Sequence, residues 1–349
     1  MKKAADGVEM IIPLASIIVS IAVTFFITPY FIRFLRDAGI VGFDLQKKNR
    51  PKVTTSGGIC VAFGVLAGLL TYIGLQTFIE MQGHVEQWLI PLLAVTSSIL
   101  IVMFVGFLDD LNIKVDTENT KEGKDIRVGL PQWLKPLLTL PAAIPLMAIS
   151  AGTTSMVVPF FGKVDFGIMY PLLLIPLGVV GASNAVNMLA GFNGLETGMG
   201  IVYFLGLGIF ALLNGRNTGA VIFLITFAAL VGFIRYNWYP ARILPGDSLT
   251  YLLGALVASG VIIGNMEKAG IIVMLPFIIE FFLKLRVKFK ASCLGKLRED
   301  GKLDPPYEKK IYSWTHLIMN LRPMTEKQVT IILILVQALF TILIFLPLF

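Results

Sequence analysis

Ten stretches of this 349-residue chain stay apolar for about the thickness of a bilayer, and no other feature restricts its fold as much. A helix crosses the hydrocarbon core with roughly 20 apolar residues, in a range of about 17–25. Such stretches lie at about 10–34, 56–79, 88–108, 132–151, 168–187, 195–213, 218–236, 247–265, 269–288 and 325–347. Lipid offers the backbone no hydrogen bonds, so runs of this length read as helices. The chain is 56% hydrophobic and only 15% charged, with a mean hydropathy of +0.81. A soluble domain carries about 25% charged residues. Lys2 and Lys3 precede the first run as in a signal peptide, but the run is too long for an h-region and has no small-residue cleavage site. The expected fold is an all-α polytopic membrane protein of about ten spans, one domain over residues 1–349. Between spans four and five, Thr153 to Phe166 alternates apolar and polar residues, which suggests a short hairpin.

Orientation follows from the 29 Lys and Arg residues. With ten spans both termini share a side. The odd-numbered connections, at 33–55, 109–135, 187–195, 235–246 and 284–327, hold six, five, none, two and eleven of these cations. Only Lys2, Lys3, Lys163, Arg216 and Lys268 fall on the other side. Basic loops stay in the cytoplasm, so the odd connections are expected inside and both termini outside. The largest cytoplasmic loop covers about 289–324. The net charge of +7 is then explained by loops facing anionic lipid rather than by nucleic acid. Cys60 lies in an apolar run and Cys293 in a basic loop, so neither a disulfide nor a zinc site is expected. The two histidines, His84 and His316, fall in an outer and an inner loop and receive no catalytic role.

Polar residues at span ends are the informative ones, because each is costly unless paired or wet. They cluster on the cytoplasmic side. Span three ends in Gly106-Phe107-Leu108-Asp109-Asp110. Two carboxylates there face the negative end of the helix dipole and repel each other, so a cation is expected nearby. Taken alone, the pair reads equally well as a solvated loop start. Span five runs out through Asn184-Ala185-Val186-Asn187-Met188-Leu189-Ala190-Gly191-Phe192-Asn193-Gly194-Leu195-Glu196. Asn184 and Asn187 share a helix face, and the glycines permit a tight turn and close backbone approach. A capped helix–turn–helix explains Asn193, but not three asparagines and a glutamate together. Asp247, in Pro245-Gly246-Asp247-Ser248, sits where an N-cap would, at the same depth as the other polar groups. Mg²⁺ takes oxygen ligands and keeps waters and substrate phosphates, so Asp247, Asn187 and two phosphate oxygens would suit it. Lys135 either snorkels to the interface or neutralises a phosphate. Lys284 to Lys290 alternates charged and apolar residues, which by spacing reads as a membrane anchor before a pyrophosphate clamp. Ile311 to Leu321, with Tyr312 and Trp314, reads as an interfacial helix.

These three motifs, in this order and placement, resemble the polyprenyl-phosphate N-acetylhexosamine-1-phosphate transferase family. They are most similar to its eukaryotic and archaeal branch, the UDP-GlcNAc–dolichyl-phosphate GlcNAc-1-phosphate transferases. The similarity continues through Gly301-Lys302-Leu303 to the last span. It implies a ten-span fold with a cytoplasmic active-site cleft. It also implies Asn187 and Asp247 as Mg²⁺ ligands (Mn²⁺ being an alternative ion) and Asp109 and Asp110 as the catalytic acidic pair. Gly191 and Asn193 match positions that contact the nucleotide sugar, Lys135 a phosphate-binding lysine. Asn184, Glu196, Arg286 and Lys288 complete the expected substrate-binding set. The peptidoglycan-precursor branch looks like Asn-Leu-Thr-Asp-Gly-Leu-Asp-Gly where this chain has Met188 to Gly194, which favours UDP-GlcNAc or a close relative. Two departures stand out: the basic cluster that opens the last cytoplasmic loop, Lys284 to Lys290, holds lysine and arginine but no histidine, and Leu244 stands where that branch can place a uracil-stacking aromatic.

The implied reaction is attack of a polyprenyl or dolichyl phosphate on the β-phosphorus of a UDP-sugar, releasing UMP. Such chemistry needs positioning and charge neutralisation. The partners implied are the UDP-sugar, the lipid phosphate and membrane lipid, in a cell membrane or, in a eukaryote, the ER membrane; a homodimer stays open. The rival reading is a transporter or lipid flippase for a phosphorylated substrate. Transporters place polar residues near the midplane, often in repeated halves, and this chain has neither feature.

Overall fold

The computed structural model describes residues 2–80, 85–111, 114–116, 126–128, 130–158 and 161–346. His84 lies outside them. The helices are α1 (Lys2–Asp37), α2 (Gly58–Leu75), α3 (Val85–Leu111), α4 (Leu134–Thr139), α5 (Ile144–Ala148), α6 (Ile175–Met188), α7 (Leu195–Leu213), α8 (Asn217–Asn237), α9 (Gly246–Gly264), α10 (Glu267–Leu285), α11 (Trp314–Leu321) and α12 (Glu326–Leu343). Among the described residues, eight helices are long and apolar enough to cross a membrane. Large apolar side chains such as Phe26, Phe104, Leu177 and Leu335 stand exposed on the outside of the bundle. Such a surface needs lipid around it, so the chain is an integral membrane protein.

The two remaining expected spans are helical but differ from the eight. Residues 134–148 form α4, a 3₁₀ turn over Leu140–Ala143, and α5. Pro136, Pro141 and Pro145 interrupt the ladder there, since proline lacks the N–H an interior helical position donates. Helix α10 contains Glu267, Lys268, Glu280 and Lys284 within its 19 residues.

The expectation of an all-helical chain holds for the bundle and fails in the connections. Strands β1 (Val41–Phe43) and β2 (Lys52–Thr54) pair antiparallel, as do β3 (Lys114–Asp116) and β4 (Ile126–Val128). The expected hairpin is present as β5 (Ser155–Val158) and β6 (Gly162–Asp165). In the last loop, β7 (Lys296–Leu297), β8 (Lys302–Asp304) and β9 (Met324–Thr325) form a three-stranded sheet. Two- to four-residue strands carry too little periodicity to be read from sequence.

Helix packing follows small residues. Ser16, Ser20, Thr24 and Thr28 recur every fourth residue on α1 and are fully buried. Ser16, Thr24 and Thr28 return their hydroxyls to the carbonyl one turn back, while Ser20 donates to Ile225 O of α8 at 2.9 Å. Gly64 of α2 meets this stripe so closely that a Cβ would lie 2.9 Å from Ser20 O. Small residues at such seams let backbones approach where lipid gives no hydrophobic drive. Helix α9 is buried along nearly its whole length, between α3, α6 and α8. It is the axis on which the site is built.

Candidate active site

The polar ends of four helices meet at one place. Asp109 and Asp110 occupy the last turn of α3, Lys135 the first turn of α4, Asn187 the last turn of α6, and Asp247 the first turn of α9. Lys135 Nζ lies 2.8 Å from Asp109 Oδ2 and 2.8 Å from Asp247 Oδ2. An ammonium has three donors, so one remains for a third acceptor. Tyr251, one turn along α9 from Asp247, donates its hydroxyl to Asp109 Oδ2 at 2.8 Å. Asp109 Oδ1 accepts the Leu130 amide at 3.1 Å. Asp109 is thus buried and bonded at both oxygens, whereas the Asp247 side chain keeps 29% of its surface open.

Asp110 does something different from its neighbour. Its Oδ1 accepts the Asp247 amide at 2.7 Å and its Oδ2 the Ser248 amide at 3.3 Å. A carboxylate on another helix thereby caps the positive end of α9. Gly246 makes this possible: its φ is +72°, and a Cβ there would lie 2.7 Å from Asp110 Oδ1. Of the expected acidic pair, only Asp109 is bonded to Lys135, while Asp110 is bonded to the start of α9. Its two hydrogen bonds fix the backbone from which Asp247 projects.

Asn187 Oδ1 accepts the Thr250 hydroxyl at 3.1 Å, so Asn187 and Asp247 are brought together by one turn of α9. Asn184 is a turn back, donating to Thr139 Oγ1 at 3.1 Å and Val180 O at 2.8 Å. Two carboxylates here share a single ammonium, and a third, Asp110, lies directly behind them on the amides of α9. That surplus of negative charge, set among oxygen donors with one carboxylate partly open, suits a hard divalent cation that shares its shell with substrate. Among the described residues no three His, Cys, Asp or Glu side chains form a closed cage.

The pattern of the family described as glycosyl transferase family 4 matches residues 92–265, which span the whole of this cluster. A Sulfolobus acidocaldarius protein named a putative UDP-N-acetylglucosamine–dolichyl-phosphate N-acetylglucosaminephosphotransferase is 32% identical over 95% of this chain and 94% of its own. The chain belongs to glycosyl transferase family 4. A Saccharolobus solfataricus protein of the same name is 34% identical, over 94% of each chain. A Dictyostelium discoideum UDP-N-acetylglucosamine–dolichyl-phosphate N-acetylglucosaminephosphotransferase is 28% identical over 86% of this chain and 80% of its own.

In this family member the Asn-rich turn is held from behind by a second polar network. Gly191 (φ +112°) and Gly194 (φ +76°) give the turn its left-handed corners. Glu196 Oε1 accepts the Gly191 amide at 2.7 Å. The Asn193 amide donates to Glu326 Oε1 at 2.7 Å, its Nδ2 to Asp44 Oδ2 at 3.2 Å, and its Oδ1 accepts the Ala241 amide at 2.8 Å. Lys47 closes the network, pairing with Glu326 and with Asp44 at 3.2 Å, and reaching Asn193 Oδ1 at 3.3 Å. Its ammonium also sits 4.2 Å from the centre of the Tyr239 ring. Asn193 and Glu196 are buried. Both side chains are bonded within the protein, where they shape the turn that carries Gly191.

The last loop docks against the same region. Buried Lys284 donates to Met188 O at the end of α6 and to Cys293 Sγ, and pairs with Glu280 at 3.5 Å. Glu280 in turn accepts the Trp314 amide at 2.9 Å. Burial pushes the Cys293 thiol up despite the nearby ammonium, which leaves it a structural donor rather than a nucleophile. Arg286 and Lys288 are exposed and line a separate cleft of about 400 Å³ with Tyr307 and Tyr312. No hydrogen bond or ion pair among the described residues joins either to the carboxylate cluster.

The network residues Asp44, Lys47 and Glu326, and the hydroxyls of Thr250 and Tyr251, escaped the sequence reading. Tyr251 carried a signal, lying four residues after Asp247 on one helix face. Lys47 and Glu326, nearly the length of the chain apart, carried none.

Proposed function

We propose that the chain transfers N-acetylglucosamine-1-phosphate, or a closely related N-acetylhexosamine-1-phosphate, from a UDP-sugar to a polyprenyl or dolichyl phosphate. The observation that carries this reading is the convergence of four helix ends on Lys135, which two carboxylates clasp at 2.8 Å each. It is a charged site at the ends of the spans, where a water-soluble donor and a lipid acceptor can meet. The chain acts as one ten-spanned unit. Its cleft opens to the cytoplasm beside the basic loops, and both termini lie outside.

An oxygen of the lipid phosphate attacks the β-phosphorus, the bond to the bridging oxygen of the α-phosphate breaks, and UMP leaves with that oxygen. Little covalent work is asked of the protein, so its task is to place and neutralise charge. Asp247 and Asn187 would hold Mg²⁺ or Mn²⁺, which supplies positive charge to the crowded phosphates. Lys135 bridges Asp109 and Asp247 and offers its third proton to a phosphate oxygen. Asp109, fixed by Tyr251 and the Leu130 amide, orients the lipid phosphate or takes its proton. The turn at Gly191 presents backbone to the nucleotide sugar, and Asn184 borders it. Arg286 and Lys288 attract the anionic donor from the surface.

The test is UMP release by purified protein in detergent with UDP-GlcNAc, a polyprenyl phosphate and Mg²⁺. Release should require the lipid and should vanish in Asp247→Ala. Release with a different UDP-sugar alone would move the sugar assignment. Folded protein that turns over no UDP-sugar would remove the transferase reading.

A further inference from the structure

A concentration of charge that the transfer reaction leaves unused lies at the end of α1. Arg33 and Arg36 of α1, Lys52 of β2 and Arg242 of the α8–α9 connection surround a hollow of about 270 Å³. Pro29 and Ile32 of α1 line its apolar side. All four cations are exposed, and none has a carboxylate partner among the described residues. Two are held in place by aromatic rings instead. The Arg242 guanidinium lies 5.5 Å from the centre of the Tyr236 ring, and its backbone amide donates to Tyr236 O at 2.8 Å. Lys52 Nζ lies 5.7 Å from the Phe43 ring centre.

Basic residues on a cytoplasmic face are ordinary topology determinants. That role asks for cations near the membrane, not for four of them from three segments around one hollow with no counter-charge. Like charges gathered in this way repel each other, and an anion relieves the cost. The hollow also has a definite neighbour. Phe26, Tyr30 and Phe34 follow one another at four-residue spacing on the adjoining face of α1, and are 67%, 70% and 63% exposed. An aromatic stripe of this kind faces acyl chains and headgroups. The hollow therefore opens beside lipid, with cations at headgroup level and an apolar wall beneath them. Two arginines bring planar forks matched to phosphate oxygens.

We propose that this hollow binds the phosphate headgroup of an anionic membrane lipid, at a site distinct from the Asp109–Lys135–Asp247 cluster. The acyl chains lie along Tyr30 and Phe34, and the phosphate sits between the α1 arginines and Lys52 and Arg242. The segments carrying those last two cations are joined, with the Leu244 amide donating to Thr54 O at 2.7 Å. A bound headgroup thus braces the connection that leads into α9.

Native mass spectrometry of the full chain in detergent tests this, titrating phosphatidylglycerol against zwitterionic phosphatidylcholine. Wild type should retain phosphatidylglycerol preferentially. Arg33→Gln/Arg36→Gln and Lys52→Gln/Arg242→Gln should each weaken retention about 30-fold, the combined effect of two cations at a membrane surface. Arg33→Lys/Arg36→Lys, which keeps the charge but loses the forks, should weaken retention clearly less than the Gln pair and guards against misfolding. Lys309→Gln/Lys310→Gln, exposed elsewhere in the last cytoplasmic loop, should change little. Equal losses in the pocket and control variants would reduce the effect to diffuse surface charge and overturn the site. So would the absence of a headgroup preference in wild type. Displacement of the lipid by inorganic phosphate would overturn the lipid assignment in favour of a soluble anion.

Discussion

Replacing Asp110 separates holding the site from acting in it. The Asp110 carboxyl accepts two backbone amides at the start of α9, at 2.7 and 3.3 Å, in a buried setting. Hydrogen bonds to a charged group contribute about 1.5–3 kcal/mol each, and the longer one belongs at the low end. Asp110→Ala removes both and leaves two buried amides without partners, so the expected loss of stability is about 3–5 kcal/mol. Asp110→Asn keeps one acceptor and turns an NH₂ toward the other amide, so its loss should be about half as large. Chemical unfolding in detergent should therefore rank wild type above Asn above Ala. UMP release, measured where each variant is still folded, should fall in the same order, and the Mg²⁺ concentration needed should rise, because Asp247 loses its orientation. An Asp110→Ala protein that unfolds with wild type yet is inactive would refute the reasoning. Asp110 would then touch the substrate.

Lys135→Met leaves Asp109 and Asp247 without their shared counter-charge and should lower UMP release at least 100-fold, a barrier increase of about 2.7 kcal/mol; near-wild-type release would remove Lys135 from the mechanism. Chelation by EDTA should abolish release, with recovery on adding Mg²⁺ or Mn²⁺; release that persists in EDTA would exclude the metal role given to Asn187 and Asp247. Gly246→Ala forces a left-handed conformation on a residue with a Cβ, costing about 1–2 kcal/mol, and pushes against Asp110 Oδ1. It should reproduce Asp110→Asn in both stability and activity. His316 accepts the Tyr312 amide at Nδ1 and meets Ser292 O at Nε2, and burial holds its pKa below the usual histidine value. A depressed histidine stabilises the fold above its unfolded pKa of about 6.5 and loses that contribution as pH falls below it. Wild type should lose more stability than His316→Gln on going from pH 7 to 5, and equal losses would contradict the neutral, buried imidazole.

The bundle was legible because lipid imposes one rule on every span. Ten apolar runs became helices, and the two that deviate show why length alone misleads. Prolines 136, 141 and 145 break one run, and buried Glu280 and Lys284 charge the other. The carboxylates, Lys135 and Asn187 were legible as well, because charged or amide side chains at apolar helix ends are costly without a use. Their division of labour was not. Asp109 and Asp110 are chemically identical neighbours, and only the 100° between successive helical positions sends one toward Lys135 and the other toward the amides of α9. The network of Asp44, Lys47, Asn193 and Glu326 was invisible for a different reason. It joins the first loop to the last helix, and sequence pattern carries no information about contacts at such separation.

That network changes how substitutions in the Asn-rich turn are to be read. Each polar atom of the Asn193 side chain has a protein partner, and one oxygen of Glu196 is bonded back to the turn itself. Losing one partner from a buried, bonded set exposes the others to the full cost of desolvation. A change at Asn193 therefore acts first on the shape of the turn, and through it on whatever Gly191 presents. Two lysines then have parallel tasks at two depths. Lys135 balances the carboxylates Asp109 and Asp247 at the helix ends, and Lys47 balances Asp44 and Glu326, which hold the turn. Only the first leaves an open carboxylate and a spare donor, so charge-changing substitutions at Lys135 should act on turnover and those at Lys47 on folding and donor affinity.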